Sequence, residues 1–190
     1  DSVAVGPGIG IDNDDWQKAK DILTGFEGLL ILDADALNRI SESKLCSKFF
    51  LERRFKTWIT PHSKEFSRLF PNIKCETNVE KALNAAQEFN ISVLLKGANS
   101  IVADNKKAWQ LFGTDSQTAR AGLGDLLSGF VAGSSAIDLT FCRNITTDFF
   151  AKYVLLHSFA ASKCKSGSNA SAIGDELSKI MRKRKTRQIS

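Results

Sequence analysis

The 190-residue chain is 43% hydrophobic, 25% charged and 9% aromatic, proportions that exclude a disordered chain, a collagen-like repeat and a coiled coil. At this length a single sheet covered by helices on both faces buries roughly 70% of the surface its unfolded chain would expose, so one domain with a core of its own is expected. The formal charge of +5 is local, because Lys179, Arg182, Lys183, Arg184, Lys185 and Arg187 stand in one run and without them 20 basic residues face 21 acidic ones. A run of this kind, with no aromatics interleaved, reads as a solvated helix end or a tail over 182–190 and not as a nucleic-acid surface.

Strands alternate with helical patterns, and neither an internal repeat nor a low-complexity linker interrupts them, which predicts a mostly parallel sheet. Residues 3–5 are a short apolar run ending in Gly6-Pro7-Gly8-Ile9-Gly10. Asp12, Asn13 and Asp14 are helix-start signals, and Trp16, Ala19 and Leu23 share one helical face. Residues 29–32 read as a buried strand ending at Asp33, and 57–60 as another ending at Pro61-His62. A helix over 78–88 places Val79, Ala82, Leu83, Ala86 and Phe89 at helical spacing. The strand over 91–95 stops at Lys96-Gly97, and 101–103 with 108–112 reads as a hairpin around Asp104-Asn105. A polar loop over 113–120 leads to Ala121-Gly122-Leu123-Gly124-Asp125. Behind it Leu123, Leu126, Leu127, Phe130 and Val131 form one apolar helix stripe, and Gly129 and Gly133 are expected to let that helix approach a neighbour closely. Helices near 148–163 and 173–181 complete the domain, with His157 on the core face that holds Phe150, Tyr153, Val154, Ala160 and Ala161.

The four cysteines, Cys46, Cys75, Cys142 and Cys164, include no C-x-x-C pair, so neither a disulfide framework nor a structural zinc site is expected and a reducing compartment fits. The longest low-charge stretch, 126–137, is too short to span a bilayer, and no signal-peptide pattern opens the chain. A cytoplasmic protein with no membrane or nucleic-acid partner is the expectation. Asp1 stands directly before a strand, so the chain is read as a piece of a longer product.

The unusual residues gather at 6–10, 33–38, 60–65, 96–100 and 122–125, mostly just after predicted strands. In open α/β sheets ligands bind outside the carboxyl ends of the strands, so one cleft built from five loops is expected. Gly122 and Gly124 remove side chains where backbone N–H groups must turn toward a ligand. The helix start behind them adds unpaired donors and a positive dipole end, which suits an anion. Asp125, in that first turn, can take a proton from a substrate hydroxyl while the amides stabilise charge on a transferring phosphoryl group. The plain alternative is a glycine-rich turn with Asp125 as a helix-start residue. Asp33 can orient water, magnesium or a lysine, and Asp35 can simply start the next helix.

The ordered set Val5-Gly6-Pro7-Gly8-Ile9-Gly10, Leu32-Asp33-Ala34-Asp35-Ala36-Leu37-Asn38, Thr60-Pro61-His62-Ser63-Lys64-Glu65, Leu95-Lys96-Gly97-Ala98 and Gly122-Leu123-Gly124-Asp125 resembles the ADP/ATP-dependent NAD(P)H-hydrate dehydratases. The matches span most of the chain up to Gly133. The resemblance implies a ribokinase-like α/β fold over 1–181. That domain is N-terminally incomplete, since the family's first glycine-rich strand and helix has no counterpart here. It also implies nucleotide-dependent dehydration of hydrated NADH or NADPH. Asp125 would be the base that activates the ring hydroxyl toward the terminal phosphate, with Gly122 and Gly124 as the anion hole. Lys96, Gly97, Ala98, Asn99 and Ser100 would bind the nucleotide, and Gly8, Gly10, Asn38 and His62, with Asp125, the hydrated cofactor. ADP or ATP would be the phosphoryl donor, accompanied by Mg2+; no residue is assigned to a protein-held metal. A fused upstream epimerase domain and a homo-oligomer are expected in addition. Arg120 and Leu123 stand where the family has smaller residues, and Arg120 is placed to add a charge contact to phosphate.

A Rossmann dehydrogenase is the alternative from another enzyme class. Its spacing fails, because Gly10 comes one residue early for the third glycine and Pro7 has no N–H to donate. A kinase of a thiamine precursor or a sugar would share the glycine loop and the aspartate, but the Thr60-Pro61-His62 and Asp33 to Asn38 segments favour the dehydratase. A non-catalytic nucleotide-binding fragment is the remaining reading.

Overall fold

The structure is a computed structural model that describes residues 1–10, 13–42, 46–112, 122–142, 144–165 and 167–188. Asp12, the 113–120 loop with Arg120, and Ala121 lie outside the described residues. One sheet holds six strands in sequence order: β1 (Ser2–Val5), β2 (Leu29–Leu32), β3 (Thr57–Ile59), β4 (Ser92–Leu95), β5 (Ser100–Ala103) and β6 (Ala108–Leu111). The first four run parallel, and β5 and β6 add an antiparallel hairpin. The turn of that hairpin is set by Asp104, whose Oδ1 accepts the N–H groups of Lys106 and Lys107 at 2.8 and 2.9 Å, as a short side chain does when it mimics a backbone turn.

Parallel neighbours in sequence order, joined by right-handed crossovers, send every crossover helix to the same face. These are α1 (Asn13–Gly25), α2 (Ala34–Glu42), α3 (Cys46–Glu52), α4 (Ser63–Leu69) and α5 (Asn78–Phe89), and α6 (Leu123–Phe141), α7 (Thr147–Lys163) and α8 (Ala170–Gln188) follow the hairpin. The two-residue period of the strands divides the core accordingly. Leu30, Leu32, Ile59, Val93 and Leu95 pack toward the first set of helices. Leu29, Ile31, Trp58, Leu94 and Val102 pack toward α6 and α7, with Trp58 stacked on Phe150 at 4.6 Å between ring centres. Both faces are covered, which is why β2 reads Leu-Leu-Ile-Leu with no polar alternation.

Arg53, which the sequence pattern does not single out, ties the first crossover together. It is buried, and its guanidinium donates to Thr57 Oγ1 and to the carbonyls of Leu23, Phe26 and Gly28, joining the end of α1 to the approach of β2. Burial pushes its pKa down to about 10. His157 is a core residue as expected, 8% exposed, and desolvation pushes it down to about 4. The expectation for Gly129 and Gly133 is overturned: both are exposed, and a Cβ built on either would meet nothing within 4 Å. Leu127, Ser128 and Val131 make the buried face of α6 instead. The last helix is longer than its apolar pattern indicates and carries the basic run onward to Gln188. No helix among the described residues is long and apolar enough to cross a membrane.

Candidate functional site

Register fixes where the loops meet. Val5, Leu32 and Ile59 are paired at one edge of the sheet, and beyond them His62 bridges Lys96 in parallel, with Lys96 N–H donating to Pro61 O at 2.8 Å. The turns after β1, β2, β3 and β4 therefore share the carboxyl edge.

Asp33 lies at the centre of this edge and is 2% exposed. Its Oδ1 accepts the Lys96 ammonium at 2.7 Å and the Ala34 N–H at 2.9 Å, and its Oδ2 accepts the Ser128 hydroxyl at 2.8 Å. The backbone around it is tightly specified. Gly6 has φ +138°, and a Cβ there would stand 1.7 Å from Asp33 O, so only glycine lets the β1 turn lie against β2. Ala34 adopts φ +47°, a left-handed conformation that costs a residue bearing a Cβ about 1–2 kcal/mol.

The first turn of α6 sits beside this cluster. Gly122 is its N-cap in the left-handed region, φ +82°, and offers no capping side chain. A Cβ built on Gly124 would lie 3.5 Å from Asp33 Oδ2 and 3.7 Å from Lys96 Nζ. The Lys96 ammonium thus lies next to the first turn and positive dipole end of a nineteen-residue helix. Asp125 follows in the same turn, exposed, with neither hydrogen bond nor ion pair among the described residues. A free carboxylate, a lysine and a helix start on one edge can bind a phosphate and accept a proton beside it.

The other expected residues take several roles. Gly8 and Gly10 are exposed with φ +70° and +77°, a Cβ on either would meet nothing within 4 Å, and Gly10 N–H reaches Asp35 Oδ2 at 3.3 Å. Gly97, Ala98 and Asn99 are exposed, whereas Ser100 is buried and its hydroxyl closes the turn by donating to Gly97 O at 3.1 Å. Asn38, on α2, has a buried Oδ1 without a partner among the described residues. His62 is the N-cap of α4: its Nδ1 accepts the N–H groups of Lys64 and Glu65, and Glu65 Oε2 accepts the His62 N–H at 2.8 Å, a reciprocal capping box. An accepting Nδ1 carries no proton, which leaves Nε2–H, 3.4 Å from Glu65 Oε1, as the ring's donor. Sequence reading did not find Ser128. Its signal is its place four residues after Gly124 on the same helix face, a hydroxyl beside the otherwise apolar Leu127 and Val131.

A separate cleft of about 470 Å³ lies at the opposite edge of the sheet, between the starts of β3 and β4, the β5–β6 turn and the start of α7. Two of its three lysines are engaged: Lys56 donates to Asn144 Oδ1 and Ile145 O, and Lys107 pairs with Asp148 at 2.9 Å. None of the five glycine and strand-end loops reaches it. Among the described residues no group of three or more His, Cys, Asp or Glu side chains could hold a metal ion.

The family model described as NAD(P)H-hydrate dehydratase matches residues 1–183. A bifunctional NAD(P)H-hydrate repair enzyme Nnr of Methanopyrus kandleri is 34% identical over 141 residues, which is 72% of this chain and 26% of that protein. The protein of the same name from Thermofilum pendens is 30% identical over 187 residues, 96% of this chain and 35% of that protein. The chain thus spans only about a third or less of the length of these relatives. In fold it is similar to the ADP/ATP-dependent NAD(P)H-hydrate dehydratase of Bacillus subtilis co-crystallized with ATP/Mg2+, with a TM-score of 0.73, 22% identity, and coverage of 95% of this chain and 63% of that one. The family match takes in every glycine and strand-end loop of the carboxyl edge, and the chain belongs to the NAD(P)H-hydrate dehydratase family.

Proposed function

We propose that this chain carries the nucleotide-dependent step of NAD(P)H-hydrate repair, the dehydration of hydrated NADH or NADPH with ADP or ATP as phosphoryl donor. The observation that carries the reading is the meeting of the first turn of α6, which holds Asp125 without a partner among the described residues, with the Lys96 ammonium, 3.7 Å from a Cβ built on Gly124. Lys96 and the N–H groups at Gly122 and Gly124 hold the donor's terminal phosphate, and the turn from Gly97 to Ser100 lies along the rest of the nucleotide. Gly8, Gly10, Asn38 and His62 receive the hydrated cofactor from the neighbouring loops.

Asp125 takes the proton of the ring hydroxyl as its oxygen forms a bond to the terminal phosphorus, and AMP or ADP leaves. The carbon–oxygen bond then breaks, phosphate departs, and loss of a ring proton restores the double bond of NADH or NADPH. Aligned N–H donors stabilise the charge that builds on the transferring phosphoryl group. Mg2+ accompanying the nucleotide would offset the charge of the phosphates and would need few protein ligands.

The bifunctional names of the two relatives and their greater length support a second, epimerase-type domain in the same polypeptide. The cytoplasm and a homo-oligomeric state complete the proposal. The test supplies the protein with hydrated NADH, Mg2+ and either ADP or ATP. Equimolar NADH, phosphate and nucleotide product are expected. A parallel assay supplies a thiamine precursor or a sugar in place of hydrated NADH, and phosphorylation of that alcohol with no NADH formed in the first assay would replace the dehydratase with a kinase.

A further inference from the structure

We propose that Asp33 is a positioning residue for phosphate binding: through its carboxylate it holds the Lys96 ammonium beside Gly124, so that the lysine meets the nucleotide already in place. The inference rests on the nucleotide reading of this site and extends it to a residue that touches no ligand.

Three observations carry it. The carboxylate is buried and its acceptors are filled by groups from three separate elements, namely the Ala34 N–H at the start of α2, Lys96 at the end of β4 and Ser128 in α6. Lys96 lies 63 residues from Asp33 in sequence and Ser128 lies 95, so the carboxylate gathers the lysine and the helix start of the anion site at one point. The Lys96 ammonium spends one of its three N–H donors on Asp33 and has no other acceptor among the described residues. It also retains 25% side-chain exposure, so two donors are left for an incoming oxyanion. Finally, Ala34, whose N–H donates to Asp33 Oδ1, is held in a left-handed conformation directly after the carboxylate. Backbone strain beside a cleft is kept where the surrounding structure over-determines it.

A lysine on a four-carbon stem otherwise loses much rotamer freedom when it binds phosphate. Pairing to a fixed carboxylate removes that freedom beforehand, as the lysine–glutamate pair does in protein kinases. The pair is neutral in sum, so it orients the ammonium without adding net charge, and the helix start supplies the rest of the attraction.

The experiment measures ADP and adenosine affinity by calorimetry for wild type, Asp33→Asn, Lys96→Ala and the double variant. Asparagine keeps the size of the side chain, one acceptor for Lys96 and a hydrogen bond with the Ser128 hydroxyl, and thermal melting checks that each variant is folded. Asp33→Asn is expected to weaken ADP about tenfold while leaving adenosine within about twofold, since adenosine has no phosphate for Lys96 to meet. In the Lys96→Ala background the same change should have little further effect on ADP. Unchanged or tighter ADP binding by a folded Asp33→Asn protein would overturn the proposal, as would equal losses for ADP and adenosine or full additivity with Lys96→Ala. Should Asp33→Asn unfold, Ser128→Ala provides the second route: it frees one acceptor of Asp33 and should weaken ADP more than adenosine, and a loss shared equally by the two would count against the proposal. A wild-type chain that binds neither ADP nor adenosine would instead refute the nucleotide reading, a result distinct from ADP binding that ignores Asp33.

Discussion

Gly6→Ala should be the most damaging single-methyl change in the glycine-rich turn. The backbone at Gly6 has φ +138°, and an added Cβ would stand 1.7 Å from Asp33 O and 2.6 Å from Asp33 C. The obstacle is main chain and cannot swing aside. Restoring an ordinary contact requires the turn after β1 to retreat, which breaks the Asp33 N–H bond to Val5 O, now 3.0 Å. The unfavourable φ costs about 1–3 kcal/mol, and the lost, buried backbone bond about 1–3 kcal/mol more, so a total of about 3–5 kcal/mol is expected. Gly8→Ala and Gly10→Ala supply the control, because φ is also positive there, +70° and +77°, while a Cβ would meet nothing within 4 Å. Each should cost only about 1 kcal/mol. Urea unfolding of the three variants reads the difference directly. A Gly6→Ala midpoint as close to wild type as those of Gly8→Ala and Gly10→Ala would refute the close approach of β1 to Asp33.

Two further outcomes follow from histidines in different surroundings. His157 is buried with a pKa of about 4 against 6.5 for the free side chain, so below pH 6.5 the unfolded chain takes up a proton that the native state refuses. Stability is then full above about pH 6.5 and falls toward pH 4, by up to about 1.4 kcal/mol per unit and about 3 kcal/mol in all. His157→Leu should flatten that slope relative to wild type in urea melts taken from pH 7 to pH 4.5, and identical slopes would contradict it. His62→Ala should lose about 1 kcal/mol of stability through the α4 cap and also weaken the hydrated cofactor. His62→Ser should recover the stability and not the affinity, measured by melting and by cofactor titration, whereas full recovery of both would reduce His62 to a cap.

Much of the architecture was legible because the parallel strands announce themselves. Residues 29–32 are an apolar run bounded by Asp33, and 91–95, apolar but for Ser92, are bounded by Lys96-Gly97; covered strands need no polar alternation. The two seven-residue helices α3 and α4 were not legible. Each is too short to establish a helical period, and α4 is capped by a histidine in place of the usual serine, threonine or aspartate. The glycines of α6 misled for a related reason: a small residue on a helix looks the same in sequence whether it faces a close neighbour or solvent, and Gly129 and Gly133 face solvent. At the candidate site the glycines and strand-end residues stood out singly through their loop chemistry. Their joining through Asp33, Lys96 and Ser128 was not readable, because pairs 63 and 95 residues apart leave no local pattern. Arg53 was hidden likewise, since its acceptors are carbonyls, which every residue has.

Whether Asp125 removes a proton from the substrate hydroxyl is read from Asp125→Asn in the full-length enzyme, by the rate of NADH formation from hydrated NADH under saturating nucleotide. Asp125 is exposed and free of partners among the described residues, so the substitution should leave Tm within a few degrees and ADP affinity within about threefold, its cost being no more than about 1 kcal/mol of helix-dipole interaction. Asparagine cannot accept the proton, and turnover should fall on the order of 10²–10⁴-fold. A folded Asp125→Asn enzyme that binds ADP and forms NADH at the wild-type rate would show that Asp125 is not the base.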